Sequence, residues 1–181
     1  MKLDVLTIKL WVNILAYQLC WWLLVCLGVS ALSVVTVILT VGFYLVTESG
    51  RWAKWAMLLV VTLTGIGCDS ALAYLGIYGS HWQEQGIALW LYLLWPVFAT
   101  LLNVSLKWFQ NHLVIASICG AIGGPSSYWA GAKLANIAQL SLSTLLILAL
   151  VWLVLTPILL SLCRFLFRFE TVANKEGGEQ C

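Results

Sequence analysis

The sequence predicts an all-α, polytopic membrane protein with six transmembrane helices and both termini in the cytoplasm. Three observations carry this prediction. Hydrophobic residues make up 62% of the chain and charged residues 9%, against roughly 25% charged residues in an ordinary soluble domain. The apolar residues fall into six long runs, and a helix crossing the hydrocarbon core needs about 20 such residues. The few Lys and Arg residues are distributed unevenly around those runs.

The placement of the basic residues predicts the orientation. If the first run leaves the cytoplasm, eight of the nine Lys and Arg residues lie inside and Lys133 lies outside. An excess of Lys and Arg in cytoplasmic loops is the usual rule for membrane proteins. The localisation that we expect is therefore the bacterial cytoplasmic (inner) membrane.

The predicted spans cover residues 10–27, 31–47, 53–78, 87–106, 113–133 and 140–162, approximately. A short break, Gly28-Val29-Ser30, separates the first two spans. A re-entrant hairpin is the alternative for this pair, but residues 10–47 are long enough for two crossings and a tight turn. A cleaved signal peptide is a second alternative, and the lack of a small-x-small cleavage site argues against it.

The connections alternate in charge as the topology requires. Arg51 and Lys54 mark the first inner loop, whereas the outer loop at 79–86 has neither Lys nor Arg. Arg164 and Arg168 follow the sixth span on the inner side. We expect a single six-helix transmembrane domain over residues 1–168 and a flexible cytoplasmic tail over residues 169–181, which are polar and contain glycine.

Asp69 is the sole acidic residue inside any predicted span. A charged side chain at mid-membrane costs roughly 2.5–3.5 kcal/mol on insertion scales, so Asp69 is expected to face the bundle interior or a polar pocket. Gly65, Asp69 and Ala73 share one helix face, which leaves room for a neighbour to approach. Asp69 is therefore a candidate for ligand binding.

The fifth predicted span is the least lipid-like of the six. Its small residues recur at intervals of three or four, at Ser117, Gly120, Gly124, Ser127 and Gly131. Such stripes let membrane helices pack closely, and Pro125 predicts a kink because it lacks an N–H. We assign Gly120, Gly124, Pro125 and Gly131 to packing and kinking, and expect this helix at the bundle centre.

Lys133 has two alternatives that the sequence leaves open. Its side chain leans toward the helix N-terminus and could pair with Asp69. It could equally extend outward to the external headgroups.

A polar and aromatic layer is expected in the outer half of the membrane. The aromatic residues there are Trp21, Trp22, Tyr74, Tyr92, Trp95, Tyr128 and Trp129. The ligand-binding candidates are Asp69, Lys133, Ser127, Tyr128, Gln18 and Trp129. Such a cluster could hold an acyl chain, a headgroup or an isoprenoid, and packing is the alternative interpretation.

No catalytic or metal motif is evident. His81 and Glu84 lack a third plausible ligand, and GxSxG, HExxH and glycine-rich phosphate loops are missing from the sequence. We expect no metal and no cofactor, and the sequence does not favour an enzyme.

Two segments resemble a known family. LWPVFATLLN at residues 94–103 and AIGGPSSYWAGAKLA at residues 121–135 are similar to small bacterial inner-membrane proteins classed as domain of unknown function 2878. The matching signature is Gly124, Pro125, Ser127, Tyr128, Gly131, Ala132 and Lys133, with Asp69 in the third span. Members lie near genes for fatty-acid modification and photo-oxidative stress, so the resemblance implies a role connected with envelope lipids.

We therefore expect a lipid-binding protein, or an accessory to envelope lipid modification or stress response. A small proton-coupled transporter using Asp69 and an integral-membrane lipid-modifying enzyme are the alternatives. The expected partners are membrane lipids, together with a lipid-modifying enzyme or another membrane protein, and no nucleic acid. The oligomeric state stays open.

Overall fold

The computed structural model describes residues 4–50, 52–79, 89–136 and 140–178. Within these ranges the regular structure is helical and contains no strand, which confirms the all-α class. The helices are α1 (Val5–Leu27), α2 (Ala31–Thr47), α3 (Ala53–Tyr74), α4 (Leu89–Asn103), α5 (Leu113–Leu134) and α6 (Leu142–Gly178), with a short 3-10 helix, Lys107–Asn111, after α4. The predicted features at Arg51, His81, Glu84 and 137–139 lie outside the described residues.

Helix length distinguishes two groups. Helices α1, α3, α5 and α6 are long and apolar enough to cross a membrane. Helices α2 and α4 are also apolar but have 17 and 15 residues. At 1.5 Å per residue the described part of α4, Leu89–Asn103, is about 22 Å long, against about 30 Å of hydrocarbon. Length and composition thus identify four of the six predicted spans.

The hairpin between α1 and α2 is built by a glycine and a capping box. Gly28 has φ +59°, a region that favours glycine. The Ser30 side chain accepts from the Ser33 backbone N–H at 3.2 Å, and the Ser33 hydroxyl accepts from the Ser30 N–H at 2.9 Å. These bonds satisfy amides that the first turn of α2 would otherwise leave unpaired. Two antiparallel helices therefore follow one another across the predicted break.

The C-terminal segment differs from the flexible tail expected from residue 169. Helix α6 continues to Gly178. Glu170 is buried on this extension and accepts hydrogen bonds from the backbone N–H groups of Trp52 at 2.6 Å and Ala53 at 3.3 Å. A carboxylate at a helix N-terminus is favourable for α3, and this long-range contact also holds the end of α6 in the bundle.

The central helix is α4, which corrects the expectation that the fifth span occupies the centre. Ten of the 15 residues of α4 are buried, whereas six of the 22 residues of α5 are. Helix α4 packs on α1, α2, α3 and α6, while α5 packs mainly on α6. One side of α5 accordingly stays exposed, at Val114, Ile118 and Ile122.

Glycines set the close contact between α5 and α6. A Cβ at Gly120 would lie 2.1 Å from Thr156 Oγ1, and a Cβ at Gly124 would lie 2.3 Å from Trp152 Cγ. The same face of α5 continues to Gly131, where a Cβ would meet Trp90 at 3.1 Å. The small residues thus admit larger side chains from α6 and α4 against the α5 backbone.

The two ends of the bundle differ in charge. At one end Lys9 pairs with Glu48, Lys54 Nζ donates to the Leu45 carbonyl at 2.6 Å, and Arg164 Nη1 donates to the Gln110 carbonyl at 3.1 Å. We call this the basic end; its cations are Lys9, Lys54, Lys107, Arg164 and Arg168. Lys133 lies at the opposite end, at the last turn of α5.

Between the ends the outer surface is apolar. Large aliphatic side chains point outward from every α-helix, at Leu89 on α4 and elsewhere at positions including Leu15, Leu39, Leu63, Ile122 and Leu150. A soluble monomer rarely exposes a continuous apolar surface of this kind. This surface is compatible with a membrane protein.

We predict that Gly124→Ala lowers the free energy of unfolding by about 1–3 kcal/mol, because its new methyl group overlaps the Trp152 ring in a packed interface. Thermal unfolding of the protein in detergent measures the effect. Gly123→Ala is the matched control, since a Cβ there meets nothing within 4 Å. Equal stability of the two variants would contradict the packing described for α5 and α6.

Candidate functional site

The candidate site is built around the buried side chain of Asp69. This residue lies in the second half of α3 and is 1% exposed. Gly65, one turn earlier, lies directly under the indole of Trp95, because a Cβ at Gly65 would be 1.9 Å from Trp95 Cδ2. The spacing of Gly65 and Asp69 predicts room for a neighbouring helix on this face of α3. The Trp95 ring of α4 occupies that room.

Three neutral donors bind the Asp69 carboxyl group. Tyr78 Oη donates to Oδ1 at 2.8 Å, and Tyr128 Oη donates to the same oxygen at 2.6 Å. Trp95 Nε1 donates to Oδ2 at 2.7 Å. We call these four residues the carboxyl cluster. Buried polar groups must find partners, and here each carboxyl oxygen has at least one.

The carboxyl cluster joins four parts of the fold. Asp69 comes from α3, Tyr78 from the turn after it, Trp95 from α4 and Tyr128 from α5. The Tyr78 and Tyr128 rings are stacked with centroids 6.0 Å apart, and Trp95 is stacked on Trp152 of α6 at 5.6 Å. The aromatic rings therefore orient the donors and connect α3, α4, α5 and α6 around one carboxyl group.

Lys133 does not belong to the carboxyl cluster. Its side chain is exposed, and its Nζ lies over the Trp129 ring at 5.1 Å from the centroid. The structure shows neither alternative that the sequence left open: the side chain leans back toward the helix N-terminus but meets Trp129, one turn earlier, rather than Asp69. Trp129 is likewise exposed, so these two candidates form a cation–π pair at the surface, separate from Asp69.

An apolar cavity of about 180 Å³ lies beside the carboxyl cluster. It fills the gap between α4 and α5, because α5 packs on α6 rather than on α4. Trp152 of α6 also lines it. Trp95 and Tyr128 are both lining residues, whereas Asp69 is not. The two aromatic donors thus form a wall between the cavity and the carboxyl group.

A second recess of about 220 Å³ adjoins the apolar cavity between α1 and α5. Gln18 and Ser127, both ligand-binding candidates, line it together with Ser126 and Trp21. Tyr17 and Ser127 line both spaces. The structure therefore brings Gln18, Ser127 and Tyr128 to one connected region, with Asp69 behind it.

All three prolines of the chain lie inside helices next to the apolar cavity. They are Pro96 in α4, Pro125 in α5 and Pro157 in α6, and cavity-lining residues lie within three positions of each. The sequence-based prediction assigned a kink to Pro125 and gave no role to Pro96 or Pro157. Each proline removes one backbone donor from its helix, which favours a local bend and a gap beside it.

Two members of the carboxyl cluster, Tyr78 and Trp95, were not among the predicted site residues. Trp95 was included in the aromatic layer, and the 26 residues that separate it from Asp69 give no signal of contact. Tyr78 follows Asp69 by nine residues across a turn, so helical spacing could not relate the two. Among the described residues, no group of three His, Cys, Asp or Glu side chains could hold a metal ion.

The fold and the cluster define a class: a chain whose regular structure, in the residues described, is helical and whose long apolar helices surround the hydrogen-bonded carboxyl group of Asp69. The chain belongs to the family described as protein of unknown function (DUF2878), whose model matches residues 10–158. This match confirms the resemblance and includes Asp69 and all of residues 121–135. Neither a curated protein nor a solved structure is significantly similar to the chain.

We predict that Asp69→Asn destabilises the protein more than Tyr128→Phe does. The amide NH₂ of asparagine would face the Trp95 N–H, which leaves two buried donors without an acceptor at a cost of about 1–3 kcal/mol each. Tyr128→Phe removes one donor and leaves Tyr78 on the same oxygen. Midpoints of thermal unfolding in detergent give the comparison, and the reverse order would refute this assignment of donors and acceptors.

Proposed function

We propose that this chain is a six-span protein of the bacterial inner membrane with both termini in the cytoplasm, and that α1 to α6 form a single domain. The apolar outer surface and the gathering of cations at the basic end support the proposal. The short helix α4 fits this arrangement because most of its surface contacts protein rather than lipid.

We further propose that the protein binds the apolar chain of a membrane lipid. The observation that carries this proposal is the apolar cavity between α4 and α5. Cys119 and Gly123, exposed residues near the middle of α5, line it, so its opening faces the side of the bundle. In a bilayer that side faces the acyl chains.

A few polar groups near the opening suit an amphipathic ligand. Tyr17, Ser127 and Tyr128 belong to the cavity lining, and Gln18 lies in the adjoining recess. Ligand sites are typically apolar with a small number of polar groups that fix orientation. A role as an accessory to envelope lipid modification or stress response is consistent with this binding and with the family resemblance.

The geometry favours a structural role for Asp69 over a proton-transfer role. Proton-coupled transport and acid–base catalysis both need a carboxyl group that a water or substrate can reach. Asp69 is held by three donors, and Trp95 and Tyr128 stand between it and the cavity. We therefore place lipid binding before the transporter and the enzyme.

We predict that Gly123→Leu reduces the amount of lipid retained by the purified protein about tenfold, the equivalent of about 1.4 kcal/mol. A Cβ at this cavity-lining position meets nothing within 4 Å, so we expect the leucine side chain to take up part of the cavity space. Native mass spectrometry of protein extracted gently from membranes measures retained lipid. Gly67→Leu is the matched control, because Gly67 is also exposed and uncrowded but does not line the cavity. Equal lipid retention by both variants would count against the cavity as the lipid site.

The proposed orientation has its own test in labelling with a membrane-impermeant maleimide. In intact cells or spheroplasts the maleimide should label the Lys133→Cys protein. It should label the Lys107→Cys protein only after the membrane has been permeabilised. The reason is that positions 133 and 107 lie at opposite ends of the bundle. The unsubstituted protein controls for native thiols, and labelling of both positions from the same side would overturn the six-span topology.

A further inference from the structure

A large polar recess lies at the basic end, separate from the apolar cavity. Its volume is about 870 Å³, within the range of small-molecule sites. We call it the charged basin. Its charged lining residues are Glu48, Lys107, Arg164, Arg168 and Glu170, and its amide-bearing lining residues are Asn103, Gln110, Asn111 and Asn174.

Three cations line the charged basin from two elements. Lys107 begins the 3-10 helix, and Arg164 and Arg168 lie one turn apart on α6. Arg164 is held in place by its bond to the Gln110 carbonyl. A guanidinium group has five N–H donors, so this bond fixes the side chain and leaves other donors for a ligand.

The two carboxylates that line the basin each bind another part of the fold. Glu48 pairs with Lys9, and Glu170 accepts from the backbone of Trp52 and Ala53. Each carboxylate therefore has a structural partner outside the trio of Lys107, Arg164 and Arg168.

Polar groups that suit a ligand also lie at the floor of the basin. The side chain of Asn103 lines it although the residue is 5% exposed. The Asn103 amide therefore supplies N–H donors to which a ligand oxygen in the basin could bind.

We propose that the charged basin binds a phosphate group, with Arg164, Arg168 and Lys107 around its oxygens and Asn103 at the floor. Arginine suits phosphate because its planar fork can donate two parallel hydrogen bonds. The positive-inside rule accounts for basic residues at this end. That rule does not explain why the Arg164 side chain is bonded to the 3-10 helix in the same recess as the buried Asn103 amide. The phosphate belongs either to an anionic lipid headgroup or to a soluble phosphate ester.

This inference is independent of lipid-chain binding, because the two sites lie on opposite sides of the 3-10 helix. Leu106 and Phe109 line the apolar cavity, whereas Lys107 and Gln110 line the basin. The Gln110 side chain donates to the Leu102 carbonyl at 2.9 Å and closes the helix against α4.

The test uses the full chain in nanodiscs of phosphatidylcholine. One arm adds phosphatidylglycerol to the bilayer, a second adds soluble glycerol 3-phosphate, and a third adds an acidic peptide. Binding is measured by native mass spectrometry and by the change in the thermal unfolding midpoint as each probe is titrated. We expect phosphate-bearing probes to bind, with affinity that falls as salt concentration rises.

Arg168→Gln is the decisive variant, because Arg168 is exposed on α6 and its loss leaves the Arg164 anchor intact. We expect it to weaken phosphate binding about tenfold, as loss of a charge-assisted hydrogen bond does. Lys133→Gln is the matched control; it removes the same charge at the other end and should bind as wild type. With the soluble probe glycerol 3-phosphate, which has no acyl chain, Gly123→Leu should bind as wild type, which separates this proposal from the lipid-chain site.

The arms distinguish the source of the phosphate. Binding of phosphatidylglycerol without glycerol 3-phosphate identifies a lipid headgroup, and binding of both shows that a soluble ester suffices. Binding of the peptide alone, no preference for any anionic probe, or equal losses in Arg168→Gln and Lys133→Gln would each overturn the proposal.

Discussion

The structure depends on the need to satisfy one carboxyl group inside an apolar bundle. Asp69 cannot be left without partners there, because an unpaired charge in an apolar environment is among the costliest features a fold can contain. Its partners come from three different segments, so satisfying it fixes the rotation and register of α4 and α5 relative to α3. The same bonds place Trp95 and Tyr128 as the wall of the apolar cavity.

Much of the fold follows from hydropathy and turn chemistry. The predicted bounds of the second helix, 31–47, are those of α2, because Gly28 and Ser30 mark the turn and the apolar run marks the helix. The burial of Asp69 was likewise expected from the cost of exposing it to lipid. These features depend on local sequence and on the preference of each residue for its environment.

The partners of Asp69 could not be predicted in the same way. Which residues meet across two helices depends on helix rotation and register, which an all-apolar helix does not encode in its periodicity. The central position of α4 could not be predicted for a similar reason, because it depends on how many other helices pack around α4. The end of α6 shows a third limit: its polar composition resembles a disordered tail, and its contacts with the start of α3 come from two residues that composition does not single out, Phe169 and Glu170.

The carboxyl cluster also has a consequence for biogenesis. In the proposed topology α3 leaves the ribosome before α4 and α5 have been made, so Asp69 enters the insertion machinery without Trp95 or Tyr128. Tyr128 is synthesised 59 residues later. Until then the carboxyl group must stay near water or beside the translocon, because an isolated acidic residue at that depth costs roughly 2.5–3.5 kcal/mol. A nascent chain that stops before α5 therefore carries an unsatisfied polar group in its third helix, a feature by which membrane quality control can distinguish incomplete chains from finished ones.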